Sequence, residues 1–202
     1  MSSLPVGSFV GNDYVGGAGG PWEDIQGTVN LGDAVANPTY EAYRDTPWKC
    51  YFLRNDQADE LHYALQMSHS WDRGAVKFHL HVIPMVNPPA GPLKFAVTGY
   101  YSWANFGVVT PAAVGWTPFS ATHTVGLTDA FKETLVPCFT ATPPAGTLES
   151  AVLLIFLKRD TGNDTYNTAK AGGTGAANVA IISADAHYQK NKDGTSTEIP
   201  VL

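Results

Sequence analysis

Positively charged residues are scarce in this sequence, and nowhere are they clustered. The chain of 202 residues has 12 Lys and Arg against 18 Asp and Glu, which gives a formal net charge of −6. Proteins that hold nucleic acid by its phosphates carry patches of Lys and Arg that neutralise them. The lack of such a patch predicts that this protein does not bind DNA or RNA directly.

Long apolar segments are lacking as well. The longest apolar run is AVLLIFL at 151–157, whereas a membrane-spanning helix needs about 20 such residues. The first 20 residues contain neither the basic start nor the continuous apolar core of a secretory signal. These absences predict a soluble protein that is made in the cytoplasm and has no membrane partner.

Cysteine is rare, since the chain contains only Cys50 and Cys138. Two cysteines in a chain of this length are not the framework of a small disulfide-rich protein. One bridge between them stays open as an alternative. For a protein made in the cytoplasm, however, two free and buried thiols are the favoured interpretation.

The sequence motifs of common enzymes are also missing. The chain has no GxSxG elbow, no HExxH pair, no phosphate-binding loop and no GxGxxG after a strand. Glycine-rich segments occur at 16–20 and 171–175, but neither ends in the Lys-Ser/Thr pair that a phosphate cradle uses. We therefore predict a protein that is not an enzyme and that carries no cofactor.

Turn-forming residues and strand patterns are what the sequence does have. It contains 20 Gly and 14 Pro, and no helical period is sustained. In 61–67, for example, Leu61, Tyr63, Leu65 and Met67 alternate with smaller or more polar side chains, as in a half-buried strand. Similar strand patterns lie at 49–54, 77–84, 95–103, 123–127, 151–157 and 179–189, with a weaker one around Val108.

Roughly eight or more short strands separated by turns predict an all-β protein, a jelly-roll-like β-sandwich. The sandwich is predicted as a single domain over 21–202, preceded by a flexible, extended N-terminal arm at 1–20 that is rich in Gly and Ser. The apolar run at 151–157 predicts the most buried strand. The best helix candidate is Thr128 to Leu135. Three prolines are predicted to lie between strands: Pro111, Pro118 and Pro137.

Three histidines, His69, His79 and His81, raise the choice between a metal site and a structural role. Because side chains alternate across a strand, His79 and His81 share one face and are able to hold one ion between them. Asp185 and His187 share a face of the last strand in the same way, so a cupin-like metal centre can be assembled from these residues. No further ligand stands at a fixed short spacing. Structural hydrogen bonds are thus favoured, and no catalytic, cofactor-binding or metal-binding residue is predicted.

Aromatic residues are abundant, with 5 Trp, 9 Tyr and 9 Phe. Trp71, Trp103 and Trp116 fall near predicted turns, where they are able to stack on sugars or to fill a pocket of a partner. Aromatic residues dominate protein cores and subunit interfaces as well. Core or interface packing is the favoured role, and a carbohydrate platform is the alternative.

Several motifs resemble an uncharacterised family of tailed-bacteriophage virion proteins. The family has a Leu-Pro-His element, a Gly-containing turn and a His-x-His-Trp strand, which the run ELHYALQMSHSW, Gly74 and HLHVIP resemble at 60–84. Its DTY and HYQ elements are matched in the same order by 164–166 and 187–189, and its opening by 22–25 and 37–40. Three positions depart from the pattern, which has Pro, Pro and Trp in their place: Ser68, Phe78 and Val82.

The resemblance implies a β-rich component of the virion and no catalytic activity. From it we expect a capsid cement or decoration protein on the capsid surface. The expected partners are the major capsid protein and further copies of the chain, with a trimer as the favoured oligomer. A neck, tail or head-fibre module that binds a glycan receptor is one alternative. A cupin-like metal-dependent enzyme built on His69, His79 and His81 is the other.

Overall fold

The computed structural model describes residues 22–31, 37–105, 115–166 and 177–190. Several of the predictions made above therefore lie outside the described residues. They are the N-terminal arm at 1–20, the strand around Val108, Pro111 and the glycine-rich segment at 171–175.

Eleven antiparallel strands form two sheets in the described residues. In chain order they are β1 (Trp22–Gln26), β2 (Thr28–Leu31), β3 (Thr39–Ala42), β4 (Lys49–Leu53), β5 (Glu60–Gln66), β6 (Val76–Pro84), β7 (Leu93–Ala104), β8 (Thr117–Val125), β9 (Thr134–Ala141), β10 (Val152–Arg159) and β11 (Val179–Gln189). A six-stranded sheet has the order β3-β4-β11-β6-β9, and β1 also pairs with β11. A five-stranded sheet has the order β2-β5-β10-β7-β8.

The two sheets pack face to face, and the main hydrophobic core lies between them. Alternation selects the core residues: Leu61, Tyr63 and Leu65 of β5 face Phe78 and Leu80 of β6 across this space. Burying a side chain of this size stabilises the fold by roughly 1.5–3 kcal/mol. The predicted fold class, an all-β, jelly-roll-like β-sandwich, is confirmed.

Strand β10 differs from the prediction that it is the most buried strand. Leu153, Ile155 and Leu157 are fully buried in the core, but the alternate residues Leu154 and Phe156 are only half-buried. An apolar run contributes to both faces of its sheet, and the outer face of this sheet is partly open. The run therefore places apolar side chains on an accessible surface.

The helix predicted at Thr128 to Leu135 is wrong. The segment begins as a turn, in which Gly126 N–H donates to the carboxylate of Asp129 at 2.7 Å, and it continues into β9 from Thr134. Phe131 has φ 63°, a left-handed conformation that interrupts a right-handed helix. Among the described residues, no helix is long and apolar enough to span a membrane.

Pro118 and Pro137 lie inside strands and not between them. Pro118 belongs to β8 and Pro137 to β9, and each of these strands is at the edge of its sheet. An edge strand tolerates a residue without an N–H because one side of the strand has no neighbour to receive it. The pairing of β6 with β9 also shifts register between Phe78 and His79, opposite Pro137.

Both cysteines are free and buried, as predicted. Cys138 lies in the main core, whereas Cys50 belongs to a smaller cluster with Phe52, Ile83 and Ala180. Burial raises the pKa of the Cys50 thiol to about 11 and that of Cys138 to about 12. Both thiols are thus kept protonated at neutral pH.

A buried ion pair connects the sheets near the end of β10. The side chains of Arg159 and Asp164 are both 0% exposed, and Arg159 Nε donates to Asp164 Oδ2 at 2.7 Å. Arg159 Nη1 also donates to the carbonyls of Leu53 and Ala177, at 3.0 and 2.8 Å. One guanidinium therefore fixes three separate segments of the chain.

Candidate functional site

Four side chains gather on the outer face of the six-stranded sheet. His79 and His81 come from β6, and Asp185 and His187 from β11, the two strands that pair at the centre of this sheet. The antiparallel register sets His79 opposite Asp185, and alternation keeps each i, i+2 pair on one face. We call these four residues the histidine cluster.

The imidazole Nε2 atoms of the cluster converge. His79 Nε2 lies 3.2 Å from His81 Nε2 and 3.3 Å from His187 Nε2. Asp185 Oδ1 lies 2.7 Å from His79 Nε2 and 3.3 Å from His81 Nε2. His79 Nε2 is thus the atom about which the other three side chains gather.

Two further carboxylates hold the outer imidazoles by their other nitrogen. His81 Nδ1 is 2.6 Å from Glu133 Oε1, and His187 Nδ1 is 3.1 Å from Asp24 Oδ1. Sequence patterns did not point to Asp24 or Glu133, because they come from β1 and from the loop before β9. The register pair Asp24 with His187 is a long-range contact that no local spacing encodes.

The centre of the cluster is buried and its rim is accessible. His79 and Asp185 are buried, whereas the side chains of His81 and His187 are 26% and 37% exposed. Burial lowers the pKa of His79; Asp185 opposes this effect, and His187 and His81 add to it. A cavity of about 390 Å³ lies beside His79 and His187.

The predicted set of His69, His79 and His81 is only partly brought together. The ligand-type atoms that lie within 4.8 Å of one another belong to His79, Asp185 and His187, and His81 contacts two of these residues. His69 lies in the turn between β5 and β6 and is not in that group. Asp185 and His187 of β11 therefore take the place in the cluster that was expected for His69.

A second candidate site is a cavity of about 740 Å³ on the outer face of the five-stranded sheet. Its floor is a row of side chains at paired positions across four neighbouring strands, namely Asn30, His62, Phe156 and Tyr100. The His62 ring meets the edge of Phe156, with centroids 5.2 Å apart, and Trp116 adds to the wall. We call this cavity the aromatic groove.

The three tryptophans named from the sequence have different roles. Trp71 is 0% exposed, and its ring stacks on Trp103 with centroids 5.2 Å apart and planes 8° apart. Trp116 alone of the three lines the aromatic groove. Core packing is therefore confirmed for Trp71. Alternation on β7 and β10 was the available signal for Tyr100 and Phe156, which the sequence reasoning did not select.

No protein-family model and no curated protein matches this chain. Among solved structures, it is similar to a family 30 carbohydrate-binding module (TM-score 0.38, 9% identity, covering 88% of this chain and 89% of that chain). It is also similar to the CBM22-1-GH10 modules of Clostridium thermocellum xylanase 10B (0.35, 12%, covering 87% and 27%). A third likeness is to the stem and receptor-binding domain of spike protein P1 from bacteriophage PM2 (0.31, 9%, covering 82% and 66%).

The chain thus spans about a quarter of the xylanase structure. All three TM-scores are below 0.5, and these likenesses carry no argument about function. They place a phage spike domain and two structures that contain carbohydrate-binding modules among the neighbours of the fold.

Proposed function

We propose that this chain is a non-enzymatic structural protein of a tailed-phage virion, a homo-oligomer that decorates the capsid surface through contacts with the major capsid protein. The observation that carries the proposal is the role of the motif residues that resemble the phage family. In the described structure these residues connect strands. Their hydrogen bonds and ion pairs hold the strands of the sandwich together, as expected of motifs with a structural role.

The DTY element illustrates this role. Asp164 pairs with the buried Arg159, and its Oδ2 also accepts the N–H of Ala96 at 3.3 Å. Tyr166 is fully buried, and its hydroxyl donates to the carbonyl of Val86 at 2.7 Å. The element therefore fixes the chain after β10 to strand β7 and to the loop that follows β6.

The HYQ element acts in the same way at the other end of the sandwich. The hydroxyl of Tyr188 donates to Glu23 Oε2, and Lys190 Nζ donates to Glu23 Oε1 at 2.7 Å. Glu23 belongs to the Trp-Glu-Asp-Ile opening of the same resemblance. The opening and the closing motif of the family thus bind each other across the β1–β11 pair.

Exposed apolar side chains in the β8–β9 connection and at the start of β9 support the homo-oligomer. Leu127, Phe131 and Leu135 are each more than 40% exposed, and interfaces are enriched in such side chains. The positive φ of Phe131 costs free energy in a bulky residue. A contact with a neighbouring copy on the capsid surface would bury these side chains, and the free energy gained would offset the cost of the strained backbone at Phe131. A trimer is the favoured state by analogy with the way in which decoration proteins meet the symmetry axes of capsids.

The oligomer is tested by light scattering on the purified full chain. We expect the mass of three chains for the wild type, and at least tenfold weaker association for Phe131→Ser, since truncating a central contact residue often costs 2 kcal/mol or more. The matched control is Leu31→Ser in β2, at the edge of the five-stranded sheet. Leu31 is 47% exposed, and this variant is expected to keep the wild-type mass. A monomeric wild type at high concentration contradicts the homo-oligomer.

Placement on the capsid is tested separately, by cryo-EM of virions and by cross-linking of the chain to its neighbours. Density on the outer capsid lattice, with cross-links to the major capsid protein, is the expected result. Density confined to the tail tip contradicts decoration of the capsid while leaving a virion role in place.

A second candidate function, binding of a glycan receptor, is favoured by the aromatic groove. Rings with exposed faces stack on sugar rings, and Asn30, His62 and the Tyr100 hydroxyl add hydrogen-bonding groups at the same surface.

The glycan function is tested on a glycan array with wild type, Tyr100→Ala and Trp116→Ala. At least a tenfold loss of binding is expected for each variant. Tyr40→Ala is the matched control, because Tyr40 is 57% exposed and belongs to the other sheet. Equal loss in the control, or no glycan bound by the wild type, counts against this function.

A further inference from the structure

We propose that the histidine cluster binds one divalent first-row transition metal ion, held by His79, Asp185 and His187 with His81 beside them, and that Zn²⁺ matches this donor set best. Imidazole nitrogens with one carboxylate oxygen are ligands that zinc accepts in tetrahedral sites. The ion would link β6 to β11 at the centre of the six-stranded sheet.

The spacing of the ligand atoms fits such an ion. Zinc–nitrogen bonds of 2.0–2.1 Å place two ligands of a tetrahedron about 3.3 Å apart. The Nε2 atoms of His81 and His187 lie 3.2 and 3.3 Å from that of His79, and His81 Nε2 lies 3.3 Å from Asp185 Oδ1. His79 Nε2 and Asp185 Oδ1 are closer, at 2.7 Å, and the ligand atoms of His79, Asp185 and His187 all lie within 4.8 Å of one another.

Hydrogen bonding alone leaves the cluster with too many acceptors. Glu133 and Asp24 face the Nδ1 atoms of His81 and His187, and because a carboxylate only accepts, each of these nitrogens is inferred to carry its ring proton. A neutral imidazole in that tautomer presents a lone pair at Nε2. Two lone pairs and Asp185 Oδ1 then face His79 Nε2, which brings at most one proton.

The buried carboxylate of Asp185 independently shows that the cluster has too few hydrogen-bond donors. Asp185 is 7% exposed, and within the described residues its Oδ1 has no hydrogen-bond partner although His79 Nε2 is only 2.7 Å away. The ring N–H direction of His79 does not meet this oxygen. A buried, unpaired carboxylate oxygen is costly, and a cation bound between His79, Asp185 and His187 removes the cost.

The surroundings are those of a built metal site. Ligating histidines usually direct their second nitrogen to a carboxylate, which fixes the ring orientation, and Glu133 and Asp24 supply this contact. Both neighbours of β6 are irregular here, with register shifts at Phe78/His79 and at Ile181/Ser183; such bulges re-aim side chains.

The experiment uses the full chain without a purification tag, stripped with a chelator and then dialysed against Zn²⁺. We expect one zinc per chain by elemental analysis, and a melting temperature about 5–10 °C higher when zinc is present at 100 times its Kd. Co²⁺ in place of Zn²⁺ is expected to give the intense visible absorption of a four-coordinate ion.

Variants locate the ion. Asp185→Asn and His187→Gln are expected to weaken zinc binding at least 100-fold, and Asp24→Asn by about 10–100-fold through the orientation of His187. His123→Gln is the matched control, since His123 lies in β8 and contacts Thr134, and it keeps full zinc content. Because His187 is partly exposed, its variant stays informative if Asp185→Asn does not fold, as checked by circular dichroism.

Three outcomes overturn the proposal. The first is a folded, stripped wild type that takes up less than about 0.1 zinc per chain. The second is zinc uptake that survives His187→Gln and Asp185→Asn in folded protein. The third is an NMR titration in the presence of zinc showing that His81 and His187 hold protons at Nε2, which would make protons and not a metal the cations of the cluster.

Discussion

Replacing Asp164 by alanine is expected to lower the free energy of unfolding by about 3–5 kcal/mol, because the change leaves the guanidinium of Arg159 charged and unpaired. Both side chains are 0% exposed, so water cannot take over the role of the carboxylate. The variant also removes the acceptor for the Ala96 N–H. Chemical denaturation followed by Trp fluorescence measures the loss, as a midpoint shift at unchanged slope.

Two controls separate the effect of the buried, unpaired charge from the loss of an ion pair as such. Arg73→Ala breaks an ion pair with Glu149 in which the Arg73 side chain is 53% exposed, and about 0–1 kcal/mol is expected. The double variant Arg159→Met with Asp164→Leu removes both charges. It is expected to recover the part of the loss that comes from the unpaired charge, but not the hydrogen bonds from Arg159 to the carbonyls of Leu53 and Ala177. A cost below 1 kcal/mol for Asp164→Ala alone contradicts the dependence of the fold on this pair.

The sandwich was predictable from the sequence because strand alternation is local. In β5 the order of buried and accessible residues is the one that the spacing of Leu61, Tyr63 and Leu65 predicts. In β6, Phe78, Leu80 and Val82 are buried as predicted, although His79 and Ile83 on the other face are buried as well. Neighbouring residues alone decide such a pattern, since each side chain points opposite to the next.

The failures arise where a distant strand decides the outcome. A helix was predicted at Thr128 to Leu135, but Leu135 is paired with His81 of β6, and this pairing extends the chain into β9. Likewise, Pro137 is tolerated within β9 only because that strand is at an edge. Residues near 128–137 show neither the pairing of β9 with β6 nor the position of β9 at the edge of its sheet.

The histidine cluster combines both situations. The i, i+2 spacing placed His79 with His81, and Asp185 with His187, on common strand faces from sequence alone. Whether the two faces coincide depends on the β6–β11 register, in which His79 stands opposite Asp185. Without that register, His69 in the adjacent turn was an equally good third ligand, and the metal site was the less favoured interpretation.

Replacing Trp71 by alanine is expected to cost about 3–5 kcal/mol of unfolding free energy. The Trp71 ring is fully buried and stacks on Trp103, so its loss removes both apolar burial and a packing partner. The Nε1 atom of Trp71 donates to the carbonyl of Gly74 at 3.2 Å, and this bond holds the turn between β5 and β6. Thermal unfolding of the variant should show a melting temperature lower by roughly 6–20 °C.

Trp71→Phe retains a ring against Trp103 but lacks the donor to Gly74, so it should lose less stability than Trp71→Ala. Trp48→Ala tests the loss of a tryptophan as such: Trp48 is 43% exposed and packs on Tyr43, and about 1 kcal/mol or less is expected. If Trp71→Ala left stability unchanged but abolished glycan binding, the sugar-platform role first considered for Trp71 would replace its role in the core. The packing of Trp71 between the sheets predicts the reverse, with stability lost and any binding at the aromatic groove retained wherever the variant remains folded.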